Sequence, residues 1–212
     1  MRLLLIRHAE TTANAERLLD TAPPGTDLSE RGRVQAEQLV EALADVPVDA
    51  IYVSDLVRTQ QTAAPLAAAR GLVPLIRPGI REIQAGEYEM APDDGSWGAY
   101  LAVLYRWADG EPHARIPRGE SGIEVLARYD AVVAEAAEHE AAAIISDGAV
   151  IRAWTGGPRS ERRPGLRRRH PASQHRGHRP RRQPGFGVAG RDLGQRARPP
   201  ARLTSNPGDP SG

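Results

Sequence analysis

The chain has 212 residues with 28 Arg, no Lys, 27 acidic residues and no Cys, for a formal net charge of +1. This length allows one sizeable core, or one domain with a tail, and the absence of cysteine excludes disulfides and thiolate metal sites. No apolar run has the length of a membrane span or the makeup of a signal peptide, so a cytoplasmic protein with no membrane contact is expected.

The net charge conceals a division. Residues 1–154 carry 14 Arg and 24 Asp or Glu, whereas residues 155–212 carry 14 Arg and 3 acids. The second stretch also holds 9 of the 18 Pro and 10 of the 21 Gly. Two regions so different in composition are not expected to share a core.

Leu3-Leu4-Leu5-Ile6 is a short, fully apolar run that reads as a strand buried on both faces, as in a parallel sheet. It ends abruptly in Arg7 and His8. In open α/β sheets chemistry gathers beyond the carboxyl ends of the strands. A guanidinium beside an imidazole suits attack on a phosphate dianion, the first as anion clamp and the second as nucleophile or base. The same stretch also reads as a strand that simply ends in polar residues.

Thr11-Thr12-Ala13-Asn14 reads as a polar loop with phosphate-donor side chains, and residues 20–28 as a turn region around Pro23-Pro24-Gly25. Ser29 is a predicted N-cap for a helix to about Ala44, with Ala36, Leu39, Val40 and Leu43 on its inner face. Ala50–Val53 reads as a second buried strand, followed by Ser54-Asp55 as a capping pair. A helix comes next from about Leu56 to Arg70, with Leu56, Ala63, Leu66 and Ala67 inward and Arg58 in its first turn. Residues 73–76 form a short third strand, placed near a sheet edge by Pro74.

This alternation of strand and helix predicts an α/β fold with a mostly parallel sheet and right-handed crossovers. The rhythm breaks over about 83–120, where Trp97, Tyr100, Tyr105 and Trp107 suggest a helical lid over the sheet edge. A helix over roughly 121–139, a strand at Ala142–Ile145, the turn Ser146-Asp147-Gly148 and the start of a helix at Ala149 complete the pattern.

Arg7-His8-Ala9-Glu10-Thr11 with Asn14 resembles the signature of the histidine phosphatase superfamily, the phosphoglycerate mutase-like proteins. Further stretches match in the same order: Leu28-Ser29 with Gly32 and Gln35-Ala36, Ser54 to Ala63, Arg81-Glu82 with Gly86 to Glu89, Gly119-Glu120-Ser121, and Ser146 to Arg152. One such motif is weak; six in order are strong. The resemblance spans residues 1–154 and implies a three-layer sandwich around a mostly parallel sheet. It implies phosphoryl transfer through a phosphohistidine on His8, with Arg7 and Arg58 clamping the phosphoryl oxygens and Asn14 adding a neutral donor. Glu82 would be the proton donor to the leaving group. No metal or cofactor is implied, and the expected partner is a small phosphorylated metabolite. A phosphatase is the first expectation and a phosphoglycerate mutase-type isomerase its rival.

Two departures qualify this. The family has a second histidine where this chain has Asp147. An aspartate there brings negative charge to an anion's site, and it would either pair with an arginine at a lowered pKa or become neutral when phosphate binds. A catalytically impaired homologue that binds phosphorylated ligands is therefore an alternative. The second departure is the segment 155–212, rich in Arg, Pro and Gly, which resembles GC-rich DNA read out of frame from about 154–158. It is expected to be disordered and to leave the first strand uncovered on one side. Its alternative role is a basic arm for nucleic acid, which is not the favoured partner. His170, His175 and His178 there do not form a convincing metal site.

Overall fold

The computed structural model describes residues 1–156, 166–168 and 188–192. A six-stranded sheet has the order β3-β2-β4-β1-β6-β5. Its strands are β1 (Arg2–Arg7), β2 (Ala50–Val53), β3 (Leu75–Ile76), β4 (Ala141–Ser146), β5 (Leu166–Arg168) and β6 (Val188–Asp192). The first four are mutually parallel, and β6 and β5 add on antiparallel. The helices are α1 (Thr12–Glu16), α2 (Glu30–Ala42), α3 (Val57–Arg70), α4 (Asp94–Ala108), α5 (Gly122–Ala136) and α6 (Gly148–Gly156).

The two-residue period of a strand sends alternate side chains to opposite faces, and both faces are covered here. Leu4, Ile6, Ile51, Val53, Ala143 and Ile145 pack with Leu39 and Leu43 of α2 and its exit, and with Ala63, Leu66 and Ala67 of α3. Leu3, Leu5, Tyr52, Ala142 and Ile144 pack on the other face with Tyr100 of α4, Val125, Tyr129 and Val132 of α5, and Val150 and Trp154 of α6. Burial on both faces explains why these strands read as apolar runs rather than as alternating ones. The result is the expected three-layer α/β sandwich.

Several local expectations change. The loop at Thr11–Asn14 is the start of α1: Thr11 and Asn14 form a capping box, with Asn14 N donating to the Thr11 hydroxyl and Thr11 N to Asn14 Oδ1. Ser54 and Asp55 do not cap α3; its N-cap is Leu56, without a side-chain bond. Ser54 is instead fully buried beside the Thr59 hydroxyl, and Asp55 pairs with Arg81. The third strand is only Leu75–Ile76, at the sheet edge as expected. The open side of β1 is the clearest correction: β6 pairs with it from Arg2↔Asp192 to Ile6↔Val188. The segment expected to be structureless thus supplies two strands, and its remaining expectations, including the three histidines, fall outside the described residues.

Candidate active site

The strand order places β4 between β2 and β1, all pointing the same way, so their carboxyl ends share one edge. The residues just past these three strand ends are therefore neighbours: Arg58 after β2, Asp147 after β4 and His8 after β1. The pairing of β1 with β4 runs to Arg7↔Ser146, and His8 N donates to the Ser146 carbonyl at 2.9 Å. The polypeptide needs no special loop to bring these residues together; parallel topology does it.

His8 is buried, and its Nδ1 lies 2.6 Å from the Ala9 carbonyl. A carbonyl can only accept, so Nδ1 carries the proton and Nε2 keeps its lone pair while the ring is neutral. Burial, then the charges of Arg58 and Arg7, hold the imidazole down to a pKa of about 3. Nε2 lies 3.4 Å from Asp147 Oδ1.

Arg58 is buried and engaged at every nitrogen. Nε donates to Asp147 Oδ1 at 2.7 Å, Nη1 to Asp20 Oδ2 at 3.2 Å, and Nη2 to the Asp20 carbonyl at 3.0 Å. Gly25, at φ +73°, lies so close that a Cβ there would stand 2.8 Å from Arg58 Nη1. Arg7 has a buried Nε with no partner. It crosses the start of α6, where a Cβ on Gly148 would be 3.1 Å from its Nε.

Glu82 comes after a 3-10 turn at Pro78–Ile80 and is carried to the start of α6, where its carboxylate accepts from Ala149 N at 3.0 Å and Val150 N at 2.8 Å. Negative charge at a helix start is favourable. Burial and the nearby Asp147 nevertheless push its carboxyl pKa up, against the backbone donors and Arg58. Arg128 of α5 fixes this segment by donating to the carbonyls of Gly79, Arg81 and Glu82 and by pairing with Glu120.

Asp147 is fully buried beside His8 and Arg58, and its Oδ2 has no partner. It pairs with an arginine as expected, but its pKa moves up rather than down, because burial outweighs the pull of Arg58. Arg7, His8, Asn14, Arg58 and Glu82 line one cavity of about 120 Å³, whereas Asp147 lies outside its lining. Asn14 has spent its carbonyl oxygen on the α1 cap, which leaves its amide group for the cavity.

Sequence reasoning missed Asp20, Trp97, Tyr100 and Arg152, all in the cavity wall. Arg152 had a signal, since it lies in the same motif as Asp147 and one turn into α6. Asp20 had none; it reaches Arg58 from 38 residues away out of a turn-rich stretch. Among the described residues no group of three or more His, Cys, Asp or Glu is arranged to hold a metal ion, and no helix is long and apolar enough to cross a membrane.

Comparison with known proteins gives this geometry a family. A PE-PGRS family protein of Mycobacterium tuberculosis is 44% identical over 109 residues, which are 50% of this chain and 19% of that protein. A probable phosphoglycerate mutase GpmB of Enterobacter is 33% identical over 64% of this chain and 62% of its own. The chain thus spans under two thirds of these relatives. Among solved structures, a mycobacterial glucosyl-3-phosphoglycerate phosphatase complexed with VO3 superposes with a TM-score of 0.62 at 28% identity, covering 73% of this chain and 79% of that one. A putative alpha-ribazole-5'-P phosphatase of Escherichia coli gives 0.59 at 31% identity, over 71% and 75%. The family model of the histidine phosphatase superfamily, branch 1, matches residues 3–173, which carries the likeness past the boundary at 154 drawn from motifs alone. With four fifths of its length inside that match, the chain belongs to the histidine phosphatase superfamily.

Proposed function

We propose that the chain is a phosphatase acting on small phosphomonoesters through a phosphohistidine. The observation that carries this is the state of His8. It is a neutral imidazole whose Nδ1 proton is committed to a backbone carbonyl, which leaves the Nε2 lone pair in a cavity that Arg7 and Arg58 also line. Nε2 attacks phosphorus in line, and the oxygen of the substrate alcohol leaves with a proton from Glu82. Water then attacks the phosphohistidine, giving its proton to Glu82, and Nε2 leaves as neutral imidazole. Arg7 and Arg58 stabilise the charge on the equatorial oxygens in both steps. The Glu82 pKa, raised by burial, supports the acid role, since the group must hold a proton near neutral pH.

The test uses an aryl phosphate. Wild-type protein should hydrolyse it and, quenched during turnover, carry acid-labile phosphate; His8→Ala should lose both together. Unchanged hydrolysis by His8→Ala would remove His8 from the mechanism. One observation favours a second reading, a slow or ligand-binding homologue: Arg58 is held by two carboxylates rather than free for phosphate. A wild type that binds inorganic phosphate without turnover would select that reading. The mutase names among the relatives make transfer to a second alcohol a further outcome, visible as isomerised substrate.

A further inference from the structure

We propose that Asp147 is the proton-accepting residue that makes this cavity competent for a phosphate group: a tetrahedral dianion binds together with one proton, taken from solvent onto the Asp147 carboxylate and returned on release. The inference rests on reading the cavity as a phosphate site, and it concerns a positioning residue, since Asp147 acts through Arg58 and His8.

Three observations carry it. The first is charge. The buried Arg58, the half-buried Arg7 and the exposed Arg152 stand against the carboxyl groups of Asp20, Glu82 and Asp147, and the ring of His8 is neutral. With every carboxyl ionised these charges cancel, so a dianion that enters leaves its own negative charge uncompensated. The second is Arg58, whose Nε is consumed by Asp147 and whose two Nη atoms are bound to Asp20. Neutralising Asp147 loosens the strongest of these contacts and returns positive charge to the cavity. The third is a conflict of lone pairs. His8 Nδ1 donates to Ala9, so Nε2 bears a lone pair, and it faces Asp147 Oδ1 at 3.4 Å. Oδ2 is buried with no donor near it. An anionic oxygen left bare inside the protein is costly, whereas a protonated one is much less so.

The other charged and titratable groups around Asp147 do not supply an alternative. Arg128 of α5 is tied to Glu120 and three carbonyls, and Arg152 of α6 is exposed. The hydroxyls of Tyr100 on α4 and Tyr129 on α5 are held neutral by burial. Glu82 is the real competitor, because it also faces Asp147 and also favours its neutral form. Its carboxylate, however, accepts two backbone N–H bonds at the start of α6, which Oδ2 of Asp147 lacks.

The experiment titrates the full chain calorimetrically with sulfate, a dianion that carries no proton of its own, between about pH 5 and about pH 9. Runs in buffers of different ionisation enthalpy give the protons taken up. Uptake should rise with pH toward one proton per sulfate, and affinity should then fall about tenfold per pH unit. Asp147→Asn should abolish uptake and flatten the pH dependence; Glu82→Gln, which removes a carboxyl that faces Asp147, should still take up a proton, over a displaced pH range. Infrared difference spectra of protein carrying carbon-13 at its aspartate carboxyls should gain a shifted acid C=O band on adding sulfate, whether or not Asp147→Asn folds. Sulfate binding with no uptake at any pH, or uptake lost in Glu82→Gln and kept in Asp147→Asn, overturns the proposal and leaves the phosphate site standing. Absence of sulfate and phosphate binding at every pH overturns both.

Discussion

His8 gives up basicity to its surroundings. Burial and two neighbouring arginines take its pKa from 6.5 to about 3, so the folded protein binds fewer protons there than the unfolded chain. Stability from this group is complete above about pH 6.5 and is lost as pH falls from there toward about 3, a swing on the order of 5 kcal/mol. The unfolding free energy of His8→Gln, measured in urea, should therefore fall less between about pH 7 and about pH 4 than that of the wild type; equal slopes would mean that His8 is not so buried. Glu82 has the opposite sign. Its pKa is raised, so its neutral form is favoured in the folded state and the stability it contributes is lost as pH rises through the raised value. As proton donor it should matter most where the leaving group is poor. Glu82→Gln should slow alkyl phosphates about tenfold or more beyond any effect on aryl phosphates; equal losses on both would show that Glu82 is not the acid. That His8, Arg7, Arg58 and Glu82 gather around one cavity was legible, because each sits at a strand end or in a motif of fixed order. Their protonation was not, because it depends on burial and on partners distant in sequence.

Helix α2 does more than cover the sheet, since its first turn holds the loop just past His8. Ser29 N donates to the Glu10 carbonyl and the Ser29 hydroxyl to Glu10 Oε1, both at 2.9 Å, while Glu10 N donates to Gln35 Oε1 at 2.9 Å. Ser29 also caps the helix by accepting from Gly32 N at 3.0 Å. Gly32 is required for contact rather than for its backbone angles: a Cβ there would lie 2.0 Å from the Glu10 carbonyl oxygen. That overlap with backbone can be relieved only by moving α2 or the loop. Gly32→Ala should cost about 1–3 kcal/mol in urea unfolding and should lower kcat. Ser29→Ala should cost about 1 kcal/mol. A Gly32→Ala protein with wild-type stability and turnover would show that the helix and the loop are not in close contact. The start of α2 was legible, because a cap is a local signal. The same reasoning failed at Ser54-Asp55: the Ser54 hydroxyl meets Leu56 N and the Thr59 hydroxyl without capping α3, and Asp55 is taken by a tertiary partner, Arg81. Local capping chemistry is one competitor among several for a polar side chain, and the winner is decided by what the fold brings near.

At the scale of the whole molecule, the parallel strands β1, β2 and β4 were visible as short apolar runs, because burial on both faces leaves no alternation to dilute them. Strand β6 was not visible. Val188-Ala189-Gly190-Arg191-Asp192 has neither an apolar run nor a strong period, and what selects it as a strand is the ladder of β1, whose other side is filled by β4. β1 also carries His8 at its end, so the pairing that covers it bears on the site as well as on solubility. An uncovered β1 edge would be a template for other chains. A chain ended after Gly156 loses β5 and β6. It should unfold at lower temperature and run as oligomers or aggregate in size exclusion with light scattering. The five paired positions between β1 and β6, at about 0.5–1.5 kcal/mol for each net hydrogen bond, put the loss at roughly 2.5–7.5 kcal/mol. Truncation removes 56 residues at once, so a gentler variant separates pairing from bulk. Ala189→Pro in the full chain replaces the residue paired with Leu5 by one that cannot donate to the ladder. It should reproduce part of the instability and of the self-association while leaving the rest of the segment in place. If both proteins keep the mass and thermal transition of the wild type, β6 does not protect the β1 edge, and the stability of the sheet rests on its four parallel strands.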